Sequence, residues 1–193
     1  MAFFPMFVDL DGKNVLIVGG GRVAARKVEK LLPFGCTITV VSSRIREEIY
    51  AMGVQTLLRD FTDADMEKRD VVIAATDDPE LNTRVCNLAK AKGIPVNSVD
   101  DKKNCTFLFP SLVKRGKLTV GVCSSGSSPS MAKWVRTQAE AALPARTEEI
   151  LDYLDDLRGR YPAGKARQDM LGRAFEVCMA LGRPLTGEEE ENL

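Results

Sequence analysis

The sequence predicts an α/β chain, with a mostly parallel sheet in its first part, a small α+β segment after it and a helical region at the C-terminal end. Three observations predict this. Apolar runs of strand length alternate with helical spacings over residues 1–111, as in successive βαβ units. Lys114-Arg115-Gly116-Lys117 then joins two short apolar runs, a hairpin signature foreign to such a repeat, which puts a border near Leu112. Beyond Pro144 only helical spacings remain, so residues 112–143 and 144–193 read as separate regions.

Residues 14–27, NVLIVGGGRVAARK, organise the first part. Val15-Leu16-Ile17-Val18 is a continuous run of strand formers, and Gly19-Gly20-Gly21 follows at once. Residues 22–34 read as a helix with Val23, Ala24, Val28, Leu31 and Leu32 along one stripe. Gly19-x-Gly21-x-x-Ala24 is the dinucleotide fingerprint in its G-x-G-x-x-A form, in the strand, turn, helix context that it requires, so the sheet is of Rossmann type. Gly19 permits the tight turn, Gly21 lets a pyrophosphate approach the backbone, and Ala24 lets helix and strand pack closely. Unpaired amides at the helix start, with the positive end of its dipole, bind phosphates. Gly19, Gly20, Gly21, Arg22 and Val23 are therefore the first cofactor candidates.

Ahead of this, residues 3–10 read as an extended lead-in across the sheet, and Asp11-Gly12 as the turn into the first strand. The second strand is 37–41. A carboxylate at the end of that strand ordinarily accepts hydrogen bonds from the adenosine ribose. Here Ser42-Ser43-Arg44 stands instead. The serine hydroxyls can bond a ribose or cap a helix, and Arg44 can accommodate a 2′-phosphate, so these residues leave NAD and NADP both open. A short third strand spans 54–58, and the fourth, 70–76, is nearly all apolar and so buried. Thr76 and Asp77 stand at its carboxyl end, where ligands bind in open α/β sheets, and are cofactor candidates. Asp78 reads as an N-cap, with Pro79 the first residue of a helix to 92.

The fifth strand, 95–99, contains a further cofactor candidate, Asn97, and ends at Asp100-Asp101. A carboxylate sheltered there can act as a general base, its pKa raised towards working pH. Asp-Asp-Lys-Lys-Asn is equally a solvated turn. Residues 105–109 read as a strand-like piece stopped by Pro110. After the hairpin, Ser124-Ser125-Gly126-Ser127-Ser128-Pro129 opens a helix over 130–143. This loop is a second anion site, with Lys133 and Arg136 one turn apart on the helix. Ser128 also caps that helix. Two more helices read at 146–158 and 165–181, with Leu151, Leu154 and Leu157 on one face of the first and Leu171, Phe175, Cys178 and Met179 on one face of the second. Residues 188–191 read as a solvated acidic tail.

The net charge is zero, which speaks against whole-chain affinity for nucleic acid or a membrane surface. The five cysteines form no C-x-x-C pair and histidine is absent, so no metal site is expected and reduced thiols in a cytoplasm are. The N-terminal stretch lacks the basic flank of a secretion signal, and no run reaches bilayer length.

The segments GGGRVAARK, AATDD, NSVDD, FLFPSLVKRGKL and CSSGSSPSMAKWVR, in this order and spacing, resemble the precorrin-2 dehydrogenase (siroheme synthase N-terminal) family over residues 4–143. The resemblance implies oxidation of precorrin-2 to sirohydrochlorin with NAD as hydride acceptor, the catalytic aspartate falling on Asp100. It implies a homodimer with 112–143 as the exchanged dimerisation segment, and puts a serine phosphorylated in some members on Ser125. Some members also insert ferrous iron, so a bifunctional dehydrogenase and ferrochelatase is the alternative. Methylation, carried by a further domain in fused members, is not expected. For a polycarboxylate substrate, Lys114, Arg115, Lys117, Ser124, Ser125, Gly126, Ser127, Ser128, Lys133 and Arg136 supply cations and amides. A non-catalytic NAD-sensing module is the reading from another class. It would not need the basic loop and the carboxylate pair together.

Overall fold

A strand apolar on both faces must be covered on both faces, and β1 (Asn14–Val18) is, with Val15, Leu16 and Ile17 wholly buried. In this computed structural model, which describes residues 3–193, β1 lies at the centre of a five-stranded sheet in the order β3-β2-β1-β4-β5. The other strands are β2 (Thr37–Ser42), β3 (Gln55–Leu58), β4 (Val71–Ala74) and β5 (Val96–Ser98), and every pairing is parallel. One face packs Val15, Ile17, Val40 and Ile73 against Ala24, Ala25, Val28 and Leu31 of α1 (Arg22–Leu31). The other packs Leu16, Val18, Val41 and Val72 against Val85, Cys86 and Ala89 of α3 (Pro79–Ala91). Between them in sequence lies the short α2 (Glu47–Ala51). The chain runs outward from β1 to β3 and returns to β4 on its other side. This reversal opens a crevice at the carboxyl ends of β1 and β4, the switch point at which such sheets bind ligands.

Several expectations change. The α1 stripe is Ala24, Ala25, Val28 and Leu31, whereas Val23 and Leu32 are exposed. Pro33 cannot extend the helix, which gives way to a 3₁₀ turn at Leu32–Phe34. Phe4, Met6, Phe7 and Val8 project outward rather than packing across the sheet; of the lead-in, Leu10 packs against the α1 face. Residues 105–109 form no strand. Thr106 instead bonds Val96, its amide donating to the Val96 carbonyl (2.8 Å) and its hydroxyl accepting from the Val96 amide (2.8 Å) and donating to the Val96 carbonyl (3.3 Å).

The described residues fall into two compact units that part between Phe109 and Pro110. In the second, β6 (Ser111–Arg115) and β7 (Leu118–Val122) pair antiparallel across Gly116-Lys117, and α4 (Pro129–Ala141) packs on the hairpin. Helices α5 (Thr147–Arg160) and α6 (Lys165–Leu181) enclose Ile150, Leu157, Ala174, Cys178 and Leu185. Phe175 and Met179 face outward, so the buried stripe of α6 runs through Leu171, Ala174 and Cys178. The acidic end is not a loose tail. Residues Gly187–Glu191 form α7, whose Glu189 accepts two hydrogen bonds from Arg183 (2.8 and 2.9 Å) and whose Glu190 accepts from Arg160 (2.7 and 3.0 Å) and Tyr153 (3.1 Å). Carboxylates in a first helical turn, each met by a guanidinium, are stabilised there. Among the described residues no helix is long and apolar enough to cross a membrane.

Candidate nucleotide and acid site

The three glycines after β1 have different tasks. Gly19 has φ +118°, and a Cβ there would collide with the Ala75 carbonyl at the end of β4. A Cβ on Gly20 would strike the Arg44 carbonyl and come 2.8 Å from Ile45 Cα, and the Arg46 amide donates to the Gly20 carbonyl (3.1 Å). These two are glycine because backbones meet there. Gly21 is the N-cap of α1 with an ordinary φ of −84°, and nothing lies within 4 Å of where its Cβ would be. No side chain caps this helix and its first turn holds no acid. Among the described residues the Arg22 and Val23 amides therefore stand unpaired at a positive helix end beside open space, a cradle that fits a pyrophosphate.

Ser42 ends β2, and Ser43 and Arg44 follow it beside this cradle. They do not cap α2, whose N-cap is Arg46. The Ser42 hydroxyl accepts from the Arg44 amide (3.3 Å), and Ser43 is exposed. The neighbouring acid, Glu48, is paired with Arg46 at 3.0 and 3.1 Å. At the end of β4, Asp77 is exposed, while Asp78 caps α3 by accepting from the Glu80 (2.9 Å) and Leu81 (3.2 Å) amides.

Asp100 and Asp101 part company. Asp101 caps a 3₁₀ turn at Lys102–Asn104, accepting from the Lys103 amide (2.8 Å) and from Asn104 (3.0 Å). Asp100 is exposed and held by side chains: Asn82 Nδ2 donates to one oxygen (2.9 Å) and the Ser98 hydroxyl donates to the other. Burial works against its charge, but these bonds outweigh it and keep the carboxyl below the ordinary aspartate range. The expected upward shift is thereby corrected.

Asn82, itself 1% exposed, also donates to the Thr76 carbonyl (3.1 Å) and accepts from the Thr76 amide (3.1 Å) and hydroxyl (2.8 Å). It thus ties the carboxyl end of β4 to the acid beyond β5. With Asp100 as the base that the family resemblance implies, Asn82→Ala is expected to slow turnover about tenfold or more through lost positioning. It removes a donor that favours the carboxylate, so the acid limb of the pH–rate profile should move to higher pH. An unmoved limb would show that Asn82 does not set this group.

Asn97 is placed differently from expectation. Strand alternation turns it to the α1 face, where it is buried. Its oxygen accepts from Lys27 Nζ (3.3 Å), and its amide nitrogen donates to the Phe107 carbonyl (3.1 Å) and faces Cys105 Sγ (3.5 Å). Its nitrogen is engaged within the fold and its oxygen holds the Lys27 ammonium.

The serine loop of the second unit is bonded to itself. Ser124 Oγ donates to the Ser128 carbonyl (2.9 Å) and accepts from the Ser128 amide (3.0 Å), and Ser128 Oγ caps α4 by accepting from the Met131 amide (3.1 Å). The Ser127 amide donates to the Ser124 carbonyl (2.9 Å) and the Ser125 amide to Cys123 Sγ (3.3 Å); Gly126, at φ +76°, is exposed. The cations expected to serve an anion are mostly paired: Arg115 and Arg136 with Glu140, Lys117 with Asp152 and Asp155, and Lys114 with the Gly116 carbonyl. Lys133 is exposed and its ammonium has no partner among the described residues.

Sequence reading missed Asn82, Ser98 and Lys27. Two carried a signal. Asn82 falls on the stripe of Val85, Cys86 and Ala89, and Lys27 beside that of Ala24, Val28 and Leu31; both are polar groups at apolar positions.

A parallel sheet whose first turn is a glycine cradle at the switch point defines a dinucleotide-binding α/β protein. The chain belongs to the family described as "Putative NAD(P)-binding", which matches residues 6–111. It is 34% identical to a siroheme synthase of Pseudomonas fluorescens over 99% of this chain and 43% of that protein. With a siroheme synthase of Thioalkalivibrio sulfidiphilus it shares 42% identity over 91% of this chain and 38% of that protein. The chain thus spans less than half the length of these curated relatives. A solved structure titled "SirC, precorrin-2 dehydrogenase" has the same fold, with a TM-score of 0.75 at 22% identity, covering 98% of this chain and 96% of that one.

Proposed function

We propose that the chain oxidises precorrin-2 to sirohydrochlorin with NAD. The observation that carries this is Asp100, a carboxylate fixed by Ser98 and Asn82 in the same unit as the glycine cradle. The similarity to siroheme synthases supports it. A module that only sensed dinucleotide would have no use for an acid held in this way.

Gly21 with the Arg22 and Val23 amides holds the pyrophosphate. Ser42 and Ser43 serve the adenosine ribose, and Thr76 and Asp77 border the cofactor. Bound NAD supplies the acceptor for the hydride. Asp100, ionised through its two donors, takes the accompanying proton on a carboxylate oxygen. A carboxylate held low is a modest acceptor, and the proton it takes becomes acidic as the hydride leaves. Lys133 and the loop of Ser124, Ser125, Gly126, Ser127 and Ser128 bind carboxylates of the substrate, with Arg136 available once Glu140 is displaced. Residues 112–143 form the homodimer interface, and the protein works in the cytoplasm.

The test mixes the protein with precorrin-2 and either NAD or NADP, with and without ferrous iron, and follows the pigment spectrum. Sirohydrochlorin should form with NAD and without iron. An unchanged spectrum with either dinucleotide defeats the proposal, whereas iron entering supplied sirohydrochlorin in the absence of NAD would add chelation to it.

A further inference from the structure

Lys27 lies on the side of α1 that faces β5, half-buried, and it makes two contacts of different kinds. Its Nζ donates to Asn97 Oδ1 at 3.3 Å and sits 3.7 Å over the centroid of the Phe109 ring. Phe109 in turn packs against Phe107, with ring centroids 5.5 Å apart and planes inclined at 47°. The Phe107 carbonyl accepts from Asn97 Nδ2 at 3.1 Å. Lys27, Asn97, Phe107 and Phe109 thus close a ring of contacts.

This ring joins residue 97 to residues 107–109, the two ends of a loop that carries Asp100 at its turn. Inside the loop, Cys105 Sγ accepts from the Ser98 amide (3.2 Å), and Ser98 is the residue that donates to Asp100. We propose that Lys27 is a positioning residue, whose ammonium clasps both ends of the 98–106 loop and so fixes where the Asp100 carboxylate points. This rests on the reading of Asp100 as the base.

The clasp is held at a cost. Burial, with Lys30 on the same helix, lowers the Lys27 ammonium to about 8, and the Cys105 thiol is the other titratable group facing it. A group desolvated in this way destabilises the fold below that pH, and stability rises as pH climbs from about 8 to the 10.5 of a free lysine. An apolar chain that reaches as far as Cε and lacks the ammonium escapes the penalty. Lys27→Met should therefore melt no lower than the parent at pH 7 yet turn over more slowly, a separation that a merely structural lysine would not produce.

The experiment measures kcat, KM for NAD, melting temperature and amide hydrogen exchange in Lys27→Met and Lys27→Arg. Expected for methionine is a kcat lower by about 10- to 100-fold, as for a displaced catalytic group. KM for NAD should stay within about twofold, and exchange should quicken over 98–106. Arginine keeps the charge over the ring and should recover most of kcat. Unchanged kcat and unchanged exchange in Lys27→Met would overturn the clasp. So would a kcat that falls only in step with melting temperature. Asp100→Asn serves as the control: if it turns over normally, the base assignment fails, whereas a dead Asp100→Asn beside a normal Lys27→Met removes the clasp alone.

Discussion

Asp100→Asn is expected to lower precorrin-2 oxidation by about 10²- to 10⁴-fold, the usual worth of a positioned general base, with NAD affinity unchanged. The substitution keeps the shape of the side chain and removes the proton acceptor. The fold should survive it, because Asp100 is exposed and its two side-chain partners are groups that an amide also satisfies, with the Ser98 hydroxyl free to turn. The wild-type rate should hold steady as pH falls from neutrality and fail only below the ordinary aspartate range. The direction follows from the hydrogen bonds: a carboxyl held low by Ser98 and Asn82 stays ionised until the solution is more acidic than a free aspartate needs. A rate that halves between pH 5 and 7 would show that another group titrates. Equal loss of oxidation and of NAD binding would show Asp100 to be part of the cofactor site instead.

Gly21→Asp is expected to weaken NAD binding by about 100-fold or more, since a like charge set against a phosphate costs several kcal/mol. Gly21 suits this test where Gly19 and Gly20 do not. Its φ is one any residue adopts and the space beside it is open, whereas a Cβ on either neighbour meets backbone. Aspartate is moreover a favoured N-cap, so α1 should be as stable as before or more so. The new carboxylate then occupies the phosphate's place and spends the amides that would have held it. Titration of the variant with NAD beside a melting curve separates the outcomes. Unaltered affinity with an unaltered fold would reject the cradle.

The same loop shows how far local pattern reaches. G-x-G-x-x-A after a strand was legible because the strand, turn and helix that it marks lie within a dozen positions of chain, although the Ala75 carbonyl that Gly19 must avoid does not. Yet the reason Gly20 must be small lies in Arg44 and Ile45, more than twenty residues on, and no spacing rule contains that. Asp78 as a helix cap was legible for the same local reason, and it caps α3 as expected. The acidic C-terminal stretch was not, because Arg160 and Arg183, which convert it from a solvated run into a docked helix, come from other turns of the chain.

The amino-acid order by itself determined the parallel α/β sheet, the place of the nucleotide cradle and the presence of an acid past the fifth strand. These follow from hydrophobic period, glycine and proline, all short-range properties. Only the tertiary structure decided which of two adjacent aspartates is tied through Asn82 to the end of β4, that Asn97 turns inward to Lys27, and that Asn82 joins two strand ends. Those outcomes depend on which hydrogen-bonding groups meet across the sheet once the strands pair. A polar atom taken from water is satisfied by whatever neighbour folding brings to it.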